Sequence, residues 1–238
     1  MRGTLYLVPN LLGAVPPADV LPARTIAIAR ALRHWVVETP KPARAFLKSL
    51  EPPHPIAELD IRPLPDGADA ATLAALLAPA RRGEDIGLLS DAGCPGVADP
   101  GAALVAAAHV EGIRVVPLVG PSSLLLALIA SGMNGQSFAF HGYLPVTAGE
   151  RAVALRRLED ESRALRRSQL FIETPYRNEA MVKAIGEALR PETLVCVAVD
   201  LTLPGETIER RTAAAWRRED PARFAKRPAL FVLDAGGP

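Results

Sequence analysis

The chain alternates short apolar runs with longer segments in which apolar residues recur at helical spacing. The apolar runs predict strands at residues 4–8, 34–38, 57–61, 86–89, 113–119, 137–142, 169–173, 193–199 and 228–233, with a hairpin-like segment at 206–210. Helical patterns occupy residues 21–32, 40–50, 68–80, 124–131, 150–167, 178–189 and 213–218, and a further helix opens after Gly101. This alternation predicts an α/β protein with mostly parallel or mixed sheets.

A stretch containing proline and glycine, residues 142–149, interrupts the alternation. We interpret it as a linker between two α/β lobes that enclose a cleft. The predicted domains are therefore residues 1–142 and 143–238.

Two strand–turn–helix units follow one another within residues 85–133. The first has the turn SDAGCPG after its strand, and a later DPG opens its helix. The second has the turn GPSS directly before its helix. Such small residues tolerate unusual backbone angles and let a ligand approach the main chain. Ligands of open α/β sheets bind outside the carboxyl ends of the strands, so the paired turns predict a binding site.

The polar residues of these turns have competing structural explanations. Asp99 precedes a proline and fits a helix N-cap, which is the role we favour for it. Asp91 has no such role, and its carboxylate is well placed to accept hydrogen bonds from a ligand's hydroxyl or amino groups. One of Ser122 and Ser123 caps the next helix, where exposed amide groups can also hold a carboxylate. Cys94 is interpreted as a turn-filling residue rather than a nucleophile.

Composition and charge restrict the possible functions. The 238 residues are 49% hydrophobic and 22% charged, and the net charge of +1 gives no nucleic-acid footprint by itself. The two cysteines and four histidines show no metal-ligand spacing, so we expect no metal and a reducing, cytoplasmic location. The chain starts with a strand rather than a signal sequence, and residues 115–130 are broken by Pro and Gly, so we expect no membrane span.

Two glutamates each close a predicted strand, Glu38 before Thr39-Pro40-Lys41 and Glu173 before a TPYR sequence. A charged residue at a strand end suits a functional role, although a solvated loop charge explains either one equally well. The chain has no GxxxxGK[ST] loop, and no GxGxxG follows its first strand. Phosphate transfer and ordinary dinucleotide binding are therefore disfavoured.

Four segments in order give the chain a more specific likeness: LLSDAGCPGVADPG, GIRVVPLVGPSSLLLALIASGM, SFAFHGYLP and LFIETPYR. With them the chain closely resembles the tetrapyrrole methylase superfamily. The nearest likeness is to the ribosomal RNA small-subunit methyltransferase I branch, which methylates a cytidine ribose 2′-hydroxyl in 16S rRNA. The resemblance implies S-adenosylmethionine in a cleft between two α/β lobes and a homodimer. It also implies ribosomal RNA or the small ribosomal subunit as a partner.

The resemblance also assigns residues by position. It implies that the cofactor meets Pro9, Asp91, Ala92, Gly93, Val97, Ser122, Ser123, Tyr143, Leu144 and Glu173. The hypothesis is a methyl transfer by in-line displacement, in which the protein chiefly aligns donor and acceptor. Glu38 or Asp91 would then act as the base for a hydroxyl acceptor, and Lys41 or Arg177 would orient the substrate.

Two other functions remain open at this stage. One is methylation of a tetrapyrrole or another small molecule, which the near-neutral charge favours. The other is a catalytically silent protein that binds S-adenosylmethionine. It stays open because the branch usually has an EDTR-like sequence after its second strand, where this chain has Glu38-Thr39-Pro40-Lys41.

Overall fold

The computed structural model describes residues 1–236, which form two compact units, one from Met1 to Ser122 and one that begins at Ser123. The last two residues of the predicted second domain lie outside the described residues. No helix within residues 1–236 has both the length and the apolar character needed to cross a membrane.

The first unit is a parallel sheet with helices between its strands. Its strands are β1 (Thr4–Val8), β2 (His34–Val37), β3 (Asp60–Pro63), β4 (Ile86–Leu89) and β5 (Arg114–Pro117). Its helices are α1 (Pro17–Val20), α2 (Ala23–Ala31), α3 (Pro40–Ser49), α4 (Ala70–Leu76), α5 (Ala78–Arg81) and α6 (Ala102–Val110), with a 3-10 turn at Ile56–Glu58. The strand order is β3-β2-β4-β1-β5, and every pairing is parallel.

The centre of this sheet is buried on both faces. All four residues of β4 are buried, as expected of a strand in a parallel sheet covered by helices. One core cluster contains Leu5 and Leu88, and a second contains Val8 and Trp35. Gly87 lies under the Trp35 ring, where an added Cβ would be 2.5 Å from the nearest ring carbon. The carboxyl ends of β1, β2, β4 and β5 are thereby fixed side by side.

The second unit contains a mixed sheet. Its strands are β6 (Phe138–Tyr143), β7 (Ser168–Glu173), β8 (Leu194–Val199), β9 (Thr207–Thr212) and β10 (Ala229–Asp234). Its helices are α7 (Ser123–Ser131), α8 (Ala148–Leu165), α9 (Asn178–Ala188) and α10 (Ala213–Trp216), with 3-10 turns at Pro175–Arg177 and Pro221–Phe224. The order is β6-β7-β10-β8-β9; β6 and β7 are parallel, and the other pairings are antiparallel.

The predicted α/β class with parallel and mixed sheets is confirmed, whereas several boundaries differ. Contacts divide the chain after Ser122 rather than after residue 142, because β6 pairs with β7 and α7 packs against β8, β9 and β10. The strand predicted at 57–61 lies at Asp60–Pro63, after a 3-10 turn. The helix predicted at 68–80 is two helices, since Pro79 has no N–H to continue the first one.

Candidate functional site

Loops from four strands meet at the carboxyl edge of the parallel sheet, and Asn10 joins two of them. Its backbone N–H donates to the carbonyl of Gly93 at 2.8 Å. Its side-chain Nδ2 donates to the carbonyls of Ser90 at 2.9 Å and Asp91 at 3.0 Å, while its Oδ1 accepts from the Leu11 N–H. Only 5% of Asn10 is exposed. Sequence reasoning did not select Asn10; the available signal was an amide residue placed directly after a strand.

Glu38 and Asp91, which were both predicted as site residues, hold the ends of β2 and β4 together. The Asp91 N–H donates to Glu38 Oε2 at 2.9 Å, and the Thr39 N–H donates to Asp91 Oδ1 at 3.2 Å. Within the described residues, the other carboxylate oxygen of each side chain makes no hydrogen bond. We call this reciprocal pair of contacts the carboxylate brace. It leaves each side chain one oxygen for another partner.

Asp99 lies close to the brace and does not cap a helix. The N-cap of α6 is Gly101, whose φ of +137° suits glycine, so the capping role favoured for Asp99 is wrong. Partial burial raises the pKa of Asp99 to about 6, and the negative charges of Glu38 and Asp91 add to this shift. A hydrogen bond with the Ser90 side chain lowers the pKa of Asp99 and partly offsets this rise. Asp99 is therefore a further carboxyl group of the site, which the local Asp-Pro pattern concealed.

The remaining turn residues shape the main chain. Gly93 is buried with a φ of +65°, and an added Cβ would be 3.3 Å from the Leu12 side chain. Pro9 is buried against Gly120, where an added Cβ would lie 2.3 Å from the proline ring. Pro9 therefore packs the β1 and β5 loops together. Cys94 donates to the Pro121 carbonyl, and burial raises the pKa of its thiol, so it stays protonated and is a poor nucleophile.

A pocket of about 570 Å³ opens beside these loops, within the range usual for small-molecule sites. Residues 10–16 of the β1 loop form one wall, one side of α3 forms another, and Asp91 with Ala92 completes the lining. Lys41 is exposed at the start of α3 and makes no ion pair within residues 1–236. Val97 is exposed and does not line this pocket. Two of the predicted cofactor residues thus share one concave surface.

In the second unit, Glu173 is a buried carboxylate, and one of its two oxygens has no hydrogen-bond partner among the described residues. The Thr174 N–H donates to Glu173 Oε1 at 2.7 Å, and the Arg177 guanidinium pairs with the same oxygen at 2.6 Å. The Glu173 side chain has 0% exposure, and its Oε2 is buried without a hydrogen-bond partner. Arg177 is therefore occupied in holding Glu173, a positioning role that its prediction as a substrate-orienting residue did not include.

The other predicted residues of this segment differ in what they offer. Ser122 ends the first unit, and Ser123 is the first residue of α7. Tyr143 is exposed at the end of β6, after a bulge in the strand that includes Gly142. Leu144 is 5% exposed and belongs to the core of the second unit, so its side chain is not available to a ligand. Among the described residues, no group of three or more His, Cys, Asp or Glu is arranged to hold a metal ion.

Comparison with known proteins assigns the family. No family model matches the chain. The chain is 32% identical over 234 residues to ribosomal RNA small subunit methyltransferase I of Escherichia coli, covering 97% of this chain and 78% of that protein. It belongs to the ribosomal RNA small subunit methyltransferase I family. The counterpart from Mesorhizobium japonicum is 40% identical over 163 residues, 68% of this chain and 53% of that protein. The predictions of family and of a methyltransferase class are confirmed.

Solved structures agree on the fold. The methyltransferase CobJ matches with a TM-score of 0.63 and 19% identity over 98% of this chain and 94% of its own. Cobalt precorrin-4 methyltransferase, CbiF, matches with a TM-score of 0.62 and 14% identity over 99% and 96%. At these identities the likeness concerns the fold alone, and it confirms the predicted tetrapyrrole methylase architecture. The alignments with the Mesorhizobium japonicum and Haemophilus influenzae members of the family span about half of those proteins, 53% of each.

Proposed function

We propose that this member of the ribosomal RNA small subunit methyltransferase I family transfers a methyl group from S-adenosylmethionine to a ribose 2′-hydroxyl of small-subunit ribosomal RNA. The observation that carries the proposal is the match over 97% of the chain to a relative of that name. It favours ribosomal RNA over a tetrapyrrole substrate, because the tetrapyrrole methyltransferases share only the fold.

The residues present fit S-adenosylmethionine. Its amino groups and ribose hydroxyls are hydrogen-bond donors, which call for acceptors held in fixed positions. Asp91 offers a free carboxylate oxygen at the 570 Å³ pocket, and in the second unit the buried Glu173 Oε2 lacks a donor. A buried acceptor without a hydrogen-bond partner destabilises the folded protein, so a ligand that donates to Glu173 Oε2 would remove that free-energy cost. When bound, the cofactor supplies a methyl group already activated on a sulfonium sulfur.

The chain's own contribution is alignment and proton removal. A hydroxyl acceptor loses its proton as it attacks, and a carboxylate whose pKa lies closer to neutral is the better base. Glu38 and Asp91 are each partly engaged in the brace, whereas the pKa of Asp99 is raised to about 6. We therefore assign the base to Asp99, whose pKa the charges of the two brace residues help to raise.

A basic face of α3 supplies a contact for RNA beside the pocket. Lys41, Arg44 and Lys48 are exposed and follow one another at helical spacing, and none makes an ion pair within residues 1–236. The neighbouring side of the same helix contributes Pro42, Ala45, Phe46 and Ser49 to the pocket. Phosphates bound along this face would hold the RNA beside the pocket that we assign to the cofactor.

The direct test is methyl transfer from labelled S-adenosylmethionine. We expect label in RNA when the acceptor is small ribosomal subunits lacking the modification, at a ribose located by nuclease digestion and mass spectrometry. Porphyrinoid acceptors should remain unlabelled. Labelled porphyrinoid with unlabelled RNA would replace the proposal with the small-molecule function. Cofactor binding without label in either acceptor would indicate the catalytically silent alternative.

Replacing Asp99 should reveal its raised pKa. A folded-state pKa above the unfolded value means that folding favours the protonated form, so stability falls as pH rises from about 4 to about 6. We expect Asp99→Asn to be more stable than wild type at pH 7.5, by on the order of 1 kcal/mol once solvent screening is included, and equal to it near pH 4. Urea denaturation at both pH values measures this difference in stability.

The same variant tests Asp99 as the base. Methyl transfer by Asp99→Asn at pH 7.5 should fall by about 100-fold or more, and unchanged transfer would remove Asp99 as the base.

We further propose a homodimer that works in the cytoplasm, where small ribosomal subunits are found. The family resemblance implies the dimer, and α7 presents Leu125 and Ile129, 51% and 76% exposed, one helical turn apart. Exposed apolar neighbours of this kind suit a subunit contact. Light scattering after gel filtration should give twice the mass of one chain, and Ile129→Arg should shift the protein to monomer. A wild-type monomer at micromolar concentration would contradict the dimer.

A further inference from the structure

A second basic surface lies in the other unit, in a groove between α8 and α9. The groove has a volume of about 370 Å³. Its floor is built from small side chains, and its cations are Arg151 and Arg156 from α8 and Lys183 from α9. Glu187 is the one carboxylate among its lining residues. The local charge is therefore positive although the whole chain carries only +1.

Arg151 is the unusual member of this group. Only 6% of it is exposed, and its Nη1 donates to the Val146 carbonyl at 3.1 Å, just before α8 begins. Its Nε is buried and has no hydrogen-bond partner. A buried guanidinium normally has its donors satisfied and a negative charge nearby. Arg151 makes no ion pair within the described residues and its Nε has no acceptor there, so it is a donor prepared for an acceptor from outside the chain.

The other two cations are free to move toward such an acceptor. Arg156 makes one long hydrogen bond, 3.4 Å from its Nε to the Ala188 carbonyl at the end of α9. Lys183 is exposed and makes no ion pair within residues 1–236. The alanines at positions 148, 152, 180, 184 and 188 leave room for a group to lie close to both helices. Three converging cations over an apolar floor suit an oxyanion with several acceptor oxygens.

We propose that the groove between α8 and α9 binds backbone phosphate of the RNA substrate. This inference rests on the proposed function, because the substrate's identity as RNA selects a phosphodiester from among the oxyanions that the groove could hold. Phosphate contacts position a nucleic acid without reading its sequence. A protein of near-zero net charge needs such local basic surfaces to hold a large RNA at all.

The test is the salt dependence of RNA binding, using a small-subunit rRNA fragment and fluorescence anisotropy. We compare the wild type with the double variant Arg156→Ala/Lys183→Ala and with a matched control, Arg157→Ala/Arg218→Ala. The control removes the same charge from the same unit outside the groove, and Glu161, the partner of Arg157, keeps its pair with Arg167. We expect the groove variant to bind about 10-fold more weakly at 0.1 M salt, with its salt slope reduced by about 0.7 for each lost phosphate contact. The control should match the wild type.

Methylation separates this inference from the proposed function. The groove variant should show a raised KM for ribosomal subunits with kcat and S-adenosylmethionine affinity unchanged. If the wild type methylates RNA and the groove and control variants bind RNA equally well, the groove proposal is overturned and the proposed function stands. A wild type that neither binds nor methylates ribosomal RNA would overturn both. Inorganic phosphate that protects the groove lysine from acylation while RNA does not would assign the site to a free anion and contradict the proposal.

Discussion

Asp91→Ala should weaken S-adenosylmethionine binding by about 10- to 150-fold, since a hydrogen bond to a charged group contributes about 1.5–3 kcal/mol. The Asp91 carboxylate lines the pocket and also accepts the Thr39 N–H, so alanine removes both a ligand acceptor and half of the brace. Methyl transfer should fall further than binding, because loss of the Asp91 charge also lowers the pKa of Asp99 and makes it a weaker base. Isothermal titration and labelled transfer measure the two losses separately.

Two variants separate the roles of Asp91. Asp91→Asn keeps an oxygen that can accept the Thr39 N–H and loses the negative charge. It should therefore preserve stability while still lowering the affinity for the cofactor. Asp69→Ala is the matched control, because Asp69 accepts the Thr72 N–H at the start of α4 and has no place in the pocket. Cofactor affinity in Asp91→Ala equal to that in Asp69→Ala would remove Asp91 from the binding site.

Gly120→Ala should destabilise the first unit by on the order of 3 kcal/mol and lower Tm by about 6–12 °C. The new Cβ would lie 2.3 Å and 2.6 Å from two carbons of the Pro9 ring and 3.0 Å from Leu21. A proline ring cannot rotate away as a longer side chain would, so the backbone of the β1 or β5 loop must move. Cofactor affinity should fall with stability, because both loops belong to the site.

Gly149→Ala is the control for this substitution. Gly149 lies in the first turn of α8, and an added Cβ there meets nothing within 4 Å. Alanine favours helix over glycine by about 0.5–1 kcal/mol, so the control should be neutral or slightly stabilising. Denaturation followed by circular dichroism compares the two proteins. Equal Tm values would show that the loops around Pro9 yield more easily than the close contact indicates.

The strand positions around the site could be predicted from the sequence because they depend on local patterns. Buried strands such as β4 are uninterrupted apolar runs, and the glycine turn after it marks where a ligand can approach. The pairing of β7, β8, β9 and β10 could not be predicted in the same way. Partner order and direction depend on which strands meet after the chain folds, and no local periodicity encodes that choice.

The site residues divide along the same line. Asp91 and Glu38 were predicted because each follows a strand, and the structure places them in one brace. Asp99 was assigned to a cap because the proline after it fits that local rule, while its actual surroundings come from residues far along the chain. Asn10 was missed for a related reason. An asparagine in a loop is ordinarily solvated. Asn10 is buried only because the turn after β4 covers it and accepts its side-chain hydrogen bonds.

The brace uses only the main chain of the residue that follows Glu38. Thr39 contributes its main-chain amide and no side-chain atom to the contact with Asp91. Any amino acid except proline offers the same group. Saturation mutagenesis of Thr39 should therefore recover nearly every replacement among active variants, with proline alone depleted. The amino acid found at this position is then a poor guide to whether a homologue is active.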